Sequence, residues 1–185
     1  YKALRALLEQ LEAACIEHEG HFVSIKGDGI LTRFDTATDA VRFGVELHRI
    51  TDSNRPSLPE DQRICFRVGI HLGEFLLDDR GIHGDSVNIA ARLQEIAEPG
   101  RIFVSSSVYE QVRNKLRLGY EFLGPQTLKN IQQPVSTFCI RSEAEGATMA
   151  ATLRPESPSM EHRRPDMPSI AVLPFATRGG DESDS

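Results

Sequence analysis

Positive charge and long apolar runs are both scarce in this chain of 185 residues. Asp and Glu outnumber Lys and Arg by 27 to 21, so the net charge is −6 at neutral pH. General nucleic-acid binding needs a basic surface, and a membrane helix needs about 20 consecutive apolar residues. The sequence has neither feature, and no secretory signal opens it. We therefore predict a cytoplasmic protein with no membrane segment and no nucleic-acid partner.

Cysteine is sparse as well. Cys15, Cys65 and Cys139 lie too far apart to match any metal-ligand spacing. Each of them falls in an apolar segment. This pattern predicts three small buried hydrophobic residues in a reducing compartment.

The apolar residues that are present recur with a helical period in some segments and alternate in others. We predict helices over 1–18, 36–50 and 85–97 and a short helix capped by one of the serines at 105–107. We predict strands over 21–25, 30–34, 63–72, 74–77, 101–104, 118–123 and 135–140. The buried face of the second helix is predicted to comprise Ala37, Ala40, Val41, Gly44, Val45 and His48. Irregular alternation with hairpins favours an α+β fold, with helices packed on one antiparallel sheet.

The composition changes after residue 141. Residues 1–141 carry the apolar periodicity, whereas 142–167 are rich in Glu, Ala, Ser, Arg and Pro and are predicted to be a flexible linker. An apolar run, Ser169–Phe175, follows and has no predicted partner strand. We interpret 168–185 as the start of a second domain; the alternative is a disordered apolar tail. The helical pattern begins at Tyr1 without an initiator Met, which indicates a piece of a longer protein.

Gly27-Asp28-Gly29 lies between two strand-like runs and predicts the tip of a β-hairpin. Flanking glycines let the backbone approach a ligand closely, and a carboxylate is a suitable ligand for Mg²⁺ or Mn²⁺. Asp28 is therefore a candidate metal ligand. The alternative is an ordinary hairpin turn, for which Asp-Gly is a common sequence.

Asn88 and Arg92 are four residues apart in the third predicted helix, so both side chains leave the same face. Arg can contact a phosphate through several donors, and Asn can bind a sugar hydroxyl. Lys129 follows the turn at Gly124-Pro125 and is a candidate for polyphosphate binding. The alternative for these residues is a solvated surface without a ligand.

Several segments together resemble the class III nucleotide cyclases. They are Gly27-Asp28-Gly29, Arg67–Gly73, Ile82–Arg92 and Leu128–Ile131. The resemblance covers roughly residues 1–141 and is strongest with the bacterial adenylate cyclases that carry a second region opening with an Ile-Ala-Val-Leu-Pro-Phe-like strand. It implies a ferredoxin-like antiparallel sheet sandwich with helices packed on it.

The resemblance also implies an activity. ATP would be converted to 3′,5′-cyclic AMP and pyrophosphate by in-line attack of the ribose 3′-hydroxyl on the α-phosphate, with two Mg²⁺ or Mn²⁺ ions per site. Asp28 would bind metal, Asn88 would orient the ribose, Arg92 would stabilise charge at the α-phosphate, and Lys129 would hold the outer phosphates. The active sites would be shared across a head-to-tail homodimer.

Three positions depart from the family pattern. The second metal aspartate of the family lies on a strand upstream of the first helix, so we expect the first strand to be missing here, an unpaired sheet edge, and an inactive isolated piece. The usual adenine-reading Lys is Ser24, with Lys26 two residues further along the same predicted strand face. The second base-reading position is Gly81. These changes leave the choice between ATP and GTP open.

Two other functions compete with the enzyme. A catalytically silent cyclase-like module for dimerisation or nucleotide sensing is favoured by Ser24 and Gly81, whereas Asp28, Asn88 and Arg92 favour the enzyme. An RNA-binding domain is disfavoured, because the chain is acidic and lacks interleaved aromatic and basic residues on adjacent strands.

Overall fold

The computed structural model describes residues 2–26, 29–54, 64–78, 81–141 and 169–177. These residues form four helices: α1 (Lys2–Glu17), α2 (Ala37–Asn54), α3 (Asp85–Ile96) and α4 (Ser106–Val112). They also form ten strands: β1 (Gly20–Lys26), β2 (Gly29–Phe34), β3 (Ile64–Phe66), β4 (Val68–Leu72), β5 (Leu76–Asp78), β6 (Gly81–His83), β7 (Ile102–Ser105), β8 (Gly119–Gln126), β9 (Val135–Arg141) and β10 (Ser169–Thr177). The α+β class predicted from the sequence is confirmed.

One sheet contains eight of the ten described strands. Its strand order is β1-β2-β10-β4-β7-β9-β8, with β3 also paired to β10. Neighbouring strands are antiparallel except for β4 and β7, which are parallel. β5 and β6 form a separate two-stranded hairpin. The predicted hairpin between β1 and β2 is present, with Lys26 opposite Gly29 and a two-residue connection.

Helices cover both faces of this sheet. On β4, Val68 and Ile70 face α2, because a Cβ built on Gly44 of α2 would lie 3.6 Å from both side chains. Gly69, between them, faces α3. The alternation follows from the strand period of two. The sheet is therefore the middle layer of three.

The two faces carry different cores. The larger core joins α1, α2 and α4 to the sheet and includes Leu11, Phe34, Phe43 and Leu47. The face toward α3 carries two smaller clusters, one around Leu93 and one around Ala90 and Ile82. Most of the buried apolar volume thus lies on the side away from α3.

Three expectations from the sequence need correction. The buried stripe of α2 includes Phe43 and Leu47, whereas Val45 and His48 are only partly buried, because the helix is rotated toward its Phe43 side. Cys65 is partly exposed, although Cys15 and Cys139 are buried as predicted. The predicted strand 63–72 is divided into β3 and β4 at Arg67, which the common register of the two pairings puts opposite Pro174, a residue without an N–H.

The prediction that the run at 169–175 has no partner is also wrong. β10 pairs with β2 on one side and with β4 and β3 on the other. β2 is consequently paired on both sides, and the expected unpaired edge does not lie at β2. The proposed linker 142–167 lies outside the described residues, and the division at residue 168 stays a prediction.

Candidate nucleotide site

Helix α3 lies directly on β4, and a glycine permits the contact. A Cβ on Gly69 would come within 2.3 Å of the Ala90 carbonyl oxygen and 2.4 Å of the Gln94 backbone nitrogen. These are backbone atoms that cannot rotate away. Gly84 begins the helix with φ of 145°, a conformation that favours glycine. Gly69 therefore allows α3 to pack closely on β4, and Gly84 allows the helix to begin at Asp85.

Asn88 and Arg92 leave the same side of α3, as predicted. Asn88 is exposed, and the Arg92 side chain is 28% exposed. Arg92 Nη1 donates to both carboxylate oxygens of Glu95, at 2.5 and 2.6 Å. This pairing raises the pKa of Arg92. The guanidinium is thus held along the helix by an exposed partner that sequence reasoning did not identify.

A bulge in β1 determines which way Ser24 faces. Phe22 pairs with Thr32 and Ser24 pairs with Leu31, so the register shifts at Val23. Residues directly opposite each other on neighbouring strands share a face, and Leu31 packs toward α3. Without the bulge, Ser24 would share the face of Phe22, which packs on the larger core. The bulge therefore places Ser24 on the α3 side of the sheet.

A small apolar cluster joins β1, β6 and α3, the elements that carry Ser24, Gly81 and Asn88. It contains Ile82 and Ala90, with Val23, Leu31, Phe75 and Val87 packed around them. Val23 is next to Ser24, Ile82 is next to Gly81, and Val87 is next to Asn88. The structure therefore gathers the predicted base-reading positions and the predicted ribose-binding residue around one cluster.

Lys129 lies in a tight turn that is anchored on α3. The Ile131 N–H donates to the Leu128 carbonyl at 3.1 Å, and Asn130 has φ of 63°. A positive φ at the third residue is typical of a type II turn and is tolerated by Asn. Leu128 and Ile131 pack in the same cluster as Leu93 of α3. Lys129 itself is exposed, next to the helix that carries Arg92.

The metal-binding part of the prediction falls on residues that the structure does not describe. Asp28 lies outside the described residues, and Lys26 is described only by its backbone position opposite Gly29. Among the described residues, no group of three or more His, Cys, Asp or Glu could hold a metal ion. The described side chains therefore do not form a metal centre by themselves.

His71 connects β4 to β7 near the start of α3. Its Nδ1 is hydrogen-bonded to Ser105 Oγ at 2.8 Å, and Ser105 Oγ is 2.9 Å from Ser107 Oγ. Ser105 directly precedes α4, but its side chain makes no capping hydrogen bond to the helix. Of the three serines predicted as possible caps, Ser105 therefore does not act as one through its side chain. Burial lowers the pKa of His71 to about 4. The ring is therefore neutral at physiological pH.

The neutral state of His71 predicts a pH-dependent stability. Below the ordinary pKa of 6.5 the unfolded chain binds a proton at His71, whereas the folded chain does not until about pH 4. The free energy of unfolding that neutral His71 contributes is fully present above pH 6.5 and is lost as the pH falls toward 4. We expect the difference in unfolding free energy between the native protein and a His71→Gln variant to shrink by about 3 kcal/mol from pH 7 to pH 4. Urea unfolding at several pH values measures this, and a constant difference would contradict the assignment.

A comparison with known protein families identifies the family to which this chain belongs. The model of the adenylate and guanylate cyclase catalytic domain matches residues 1–142. The chain belongs to this family, which confirms the resemblance seen in the sequence.

Individual relatives agree with the family. A protein of Rhizobium meliloti (strain 1021) named "Putative adenylate cyclase 3" is 35% identical over 176 residues, which are 94% of this chain and 29% of that protein. The chain thus spans less than a third of this curated relative. The structure of an adenylate/guanylate cyclase/hydrolase from Silicibacter pomeroyi has a TM-score of 0.70 and 34% identity over 77% of this chain and 84% of that one.

A guanylate cyclase domain shares the fold as well. The domain of RhGC from Catenaria anguillulae, solved in complex with GTP, has a TM-score of 0.61 and 21% identity, and the match covers 75% of this chain and 81% of that one. Both kinds of cyclase are therefore among the structural neighbours. No helix in the described part of the chain is long and apolar enough to cross a membrane.

Proposed function

We propose that this domain converts ATP to 3′,5′-cyclic AMP and pyrophosphate and serves in intracellular signalling. One observation supports the proposal: α3, which carries Asn88 and Arg92, packs on the cluster that contains Leu128 and Ile131, beside Lys129, and on the cluster that contains Val23 and Ile82, beside Ser24 and Gly81. The segments that carry these polar and cationic residues thus pack on one helix. This arrangement suits a ligand that combines a base, a sugar and a polyphosphate.

Each residue has a proposed role in the reaction. Asn88 binds and orients the ribose, so that its 3′-hydroxyl faces the α-phosphate. Arg92 leaves Glu95 and donates to the α-phosphate oxygens as charge develops there. Exposed ion pairs contribute little to stability, so Glu95 is a weak competitor for the guanidinium. Lys129 attracts the outer phosphates, which leave as pyrophosphate.

Metal binding is proposed for Asp28. Two Mg²⁺ or Mn²⁺ ions would neutralise phosphate charge and favour ionisation of the 3′-hydroxyl. Carboxylate oxygen is a ligand that both ions accept. By the family resemblance a second aspartate lies on a strand preceding α1, and Asp28 from one copy serves the site formed by Asn88 and Arg92 of another copy. A homodimer with shared sites follows from this proposal.

ATP is proposed as the substrate in preference to GTP. The family membership and the 35% identical relative named as an adenylate cyclase support this choice. Ser24 and Gly81 do not, because neither offers the charged group that adenylate cyclases use to read adenine. Lys26 is a candidate replacement for the base-reading Lys.

Product analysis tests the proposed reaction. The protein, expressed from its complete reading frame, is incubated with Mn²⁺ and either ATP or GTP, and cyclic nucleotide and pyrophosphate are followed by mass. We expect cyclic AMP from ATP and its loss in Asp28→Ala. Asp35→Ala is the matched control, since Asp35 is an exposed aspartate at the opposite end of β2. Cyclic GMP as the main product would overturn the choice of substrate.

The second candidate function is a silent module for dimerisation or nucleotide sensing. The serine at position 24 and the glycine at position 81 favour it, because both base-reading positions lack a charged side chain. A folded, dimeric protein that forms no cyclic product from ATP or GTP would support this function instead of the enzyme.

A further inference from the structure

A surface cavity lies where the end of α1, the first half of α2 and the chain after α4 meet. Its volume is about 220 Å³. It is lined by His18, just after α1, by Arg42, Val45 and Glu46 of α2, and by residues 116–118, which lead into β8. Helix α2 covers the face of the sheet opposite α3. The cavity is therefore separate from the candidate nucleotide site.

The floor of the cavity is apolar. Val45, Leu116 and Leu118 are partly buried, and each packs against the larger core. The surface of these residues that the core leaves uncovered lines the cavity. A ligand with an apolar group would remove this surface from water, which favours binding. The cavity thus offers an apolar surface that is continuous with the core.

The negative charge in the lining is already matched. Arg49 donates to both carboxylate oxygens of Glu46, at 2.5 and 2.7 Å. These hydrogen bonds and, to a smaller extent, the nearby charge of His18 lower the pKa of Glu46. Arg117 makes no ion pair within the part of the chain that the structure describes. The lining therefore carries an excess of positive charge, although the protein as a whole is acidic.

Arg42 is also available to a ligand. Its Nη1 lies 3.6 Å from Asp39 Oδ1, and its side chain is 53% exposed. The other carboxylate oxygen of Asp39 accepts a hydrogen bond from the Thr36 hydroxyl, and the Asp39 N–H donates to Thr36 Oγ1. Asp39 is thus engaged in the cap at the start of α2. Since an exposed ion pair of this length is weak, it holds Arg42 in place only loosely.

The volume of the cavity limits the size of the ligand. Drug-sized ligands occupy pockets of about 300–1,000 Å³, whereas an apolar cavity of about 150 Å³ holds benzene. The cavity, at about 220 Å³, therefore has room for one ring and a short acidic chain but not for a nucleoside triphosphate. Arginine binds carboxylates through its fork of N–H donors.

From these observations we propose that the cavity binds a small carboxylate with an apolar body, such as an arylcarboxylate. The apolar body lies on Val45, Leu116 and Leu118, and the carboxylate accepts hydrogen bonds from Arg42 and Arg117. The inference does not depend on the proposed activity, because the site lies on the other face of the sheet.

Phenylacetate is the probe that tests this site. Its binding to the 185-residue protein is followed by NMR titration, and we expect a dissociation constant at or below about 1 mM. In Arg42→Gln/Arg117→Gln the affinity should fall at least about tenfold, since hydrogen bonds to charged groups are lost. Arg5→Gln/Arg113→Gln is the matched control, because it removes the same charge from residues outside the lining. Arg5 is paired with Glu9, and Arg113 lies over the Tyr109 ring.

Two further ligands separate the charge from the apolar body. Phenylacetamide lacks the negative charge and acetate lacks the ring, so each should bind at least about tenfold more weakly than phenylacetate.

Several results would overturn the proposal. Equal affinity for phenylacetate and phenylacetamide would show that the cavity does not recognise an anion, and equal affinity of the two double variants would remove Arg42 and Arg117 from the site. Loss of phenylacetate binding in Arg92→Ala would assign the anion to α3 instead. The absence of binding up to about 10 mM would show that the cavity is not a site for this class of ligand.

Discussion

Replacement of Arg92 by alanine is expected to lower cyclic-nucleotide turnover by about 10²-fold or more, with a smaller change in nucleotide affinity. The reason is that the guanidinium is proposed to act on charge that develops in the transition state, so its loss affects kcat more than KM. Steady-state kinetics with ATP and Mn²⁺, together with direct nucleotide binding, separate the two effects.

Arg49 provides a matched control for this experiment. Like Arg92, it is a helical arginine that is paired with a glutamate three positions away, in this case Glu46 at 2.5 Å. It lies on α2, which covers the opposite face of the sheet. Arg49→Ala should therefore keep full turnover. If Arg92→Ala and Arg49→Ala turned over ATP equally, Arg92 would have no part in the reaction.

Replacement of Gly69 by alanine is expected to destabilise the fold by about 3 kcal/mol and to lower the midpoint of thermal unfolding by about 10 °C. The added methyl group would meet the backbone of α3 at Ala90 and Gln94, within 2.4 Å. The helix would have to move away from β4 and would carry Asn88 and Arg92 with it. Because displacements of about 1 Å can reduce turnover 10²-fold, activity should fall in the molecules that still fold.

Gly44 is the control for this second substitution. It is buried on the other side of β4, yet a Cβ there would lie 3.4 Å or more from its neighbours, all of them side-chain atoms. Alanine also favours the helical conformation more than glycine, so Gly44→Ala should leave stability unchanged or raise it by up to about 1 kcal/mol. Urea and thermal unfolding of the two variants provide the comparison. A loss of similar size in both would contradict the close contact at Gly69.

Local patterns in the sequence predicted the local parts of this structure. The spacing of Asn88 and Arg92 placed them on one helix face, and the glycine pair around Asp28 predicted the hairpin between β1 and β2. Both inferences depend only on residues close together in the chain. Such periodicities follow directly from helix and strand geometry.

Long-range and single-residue features could not be predicted in this way. The bulge at Val23 has no glycine or other distinctive residue to mark it, so the orientation of Ser24 followed only from the pairing with Leu31. The location of β10 depends on pairing between residues 169 and 34, for which an apolar run supplies no partner information. The ion pair of Arg92 with Glu95 is local, but the i, i+3 spacing alone does not show which neighbour Arg92 contacts.

The unequal cores on the two faces of the sheet have a consequence for how the domain opens. Local unfolding begins where few apolar contacts must be broken, and the face that carries α3 has the smaller clusters. The α3 side should therefore fluctuate open at a lower free energy than the rest of the domain. A nucleotide that binds only the closed form would suppress these openings in proportion to its concentration. Bound nucleotide would then stabilise the α3 side of the domain, which has the smaller apolar clusters.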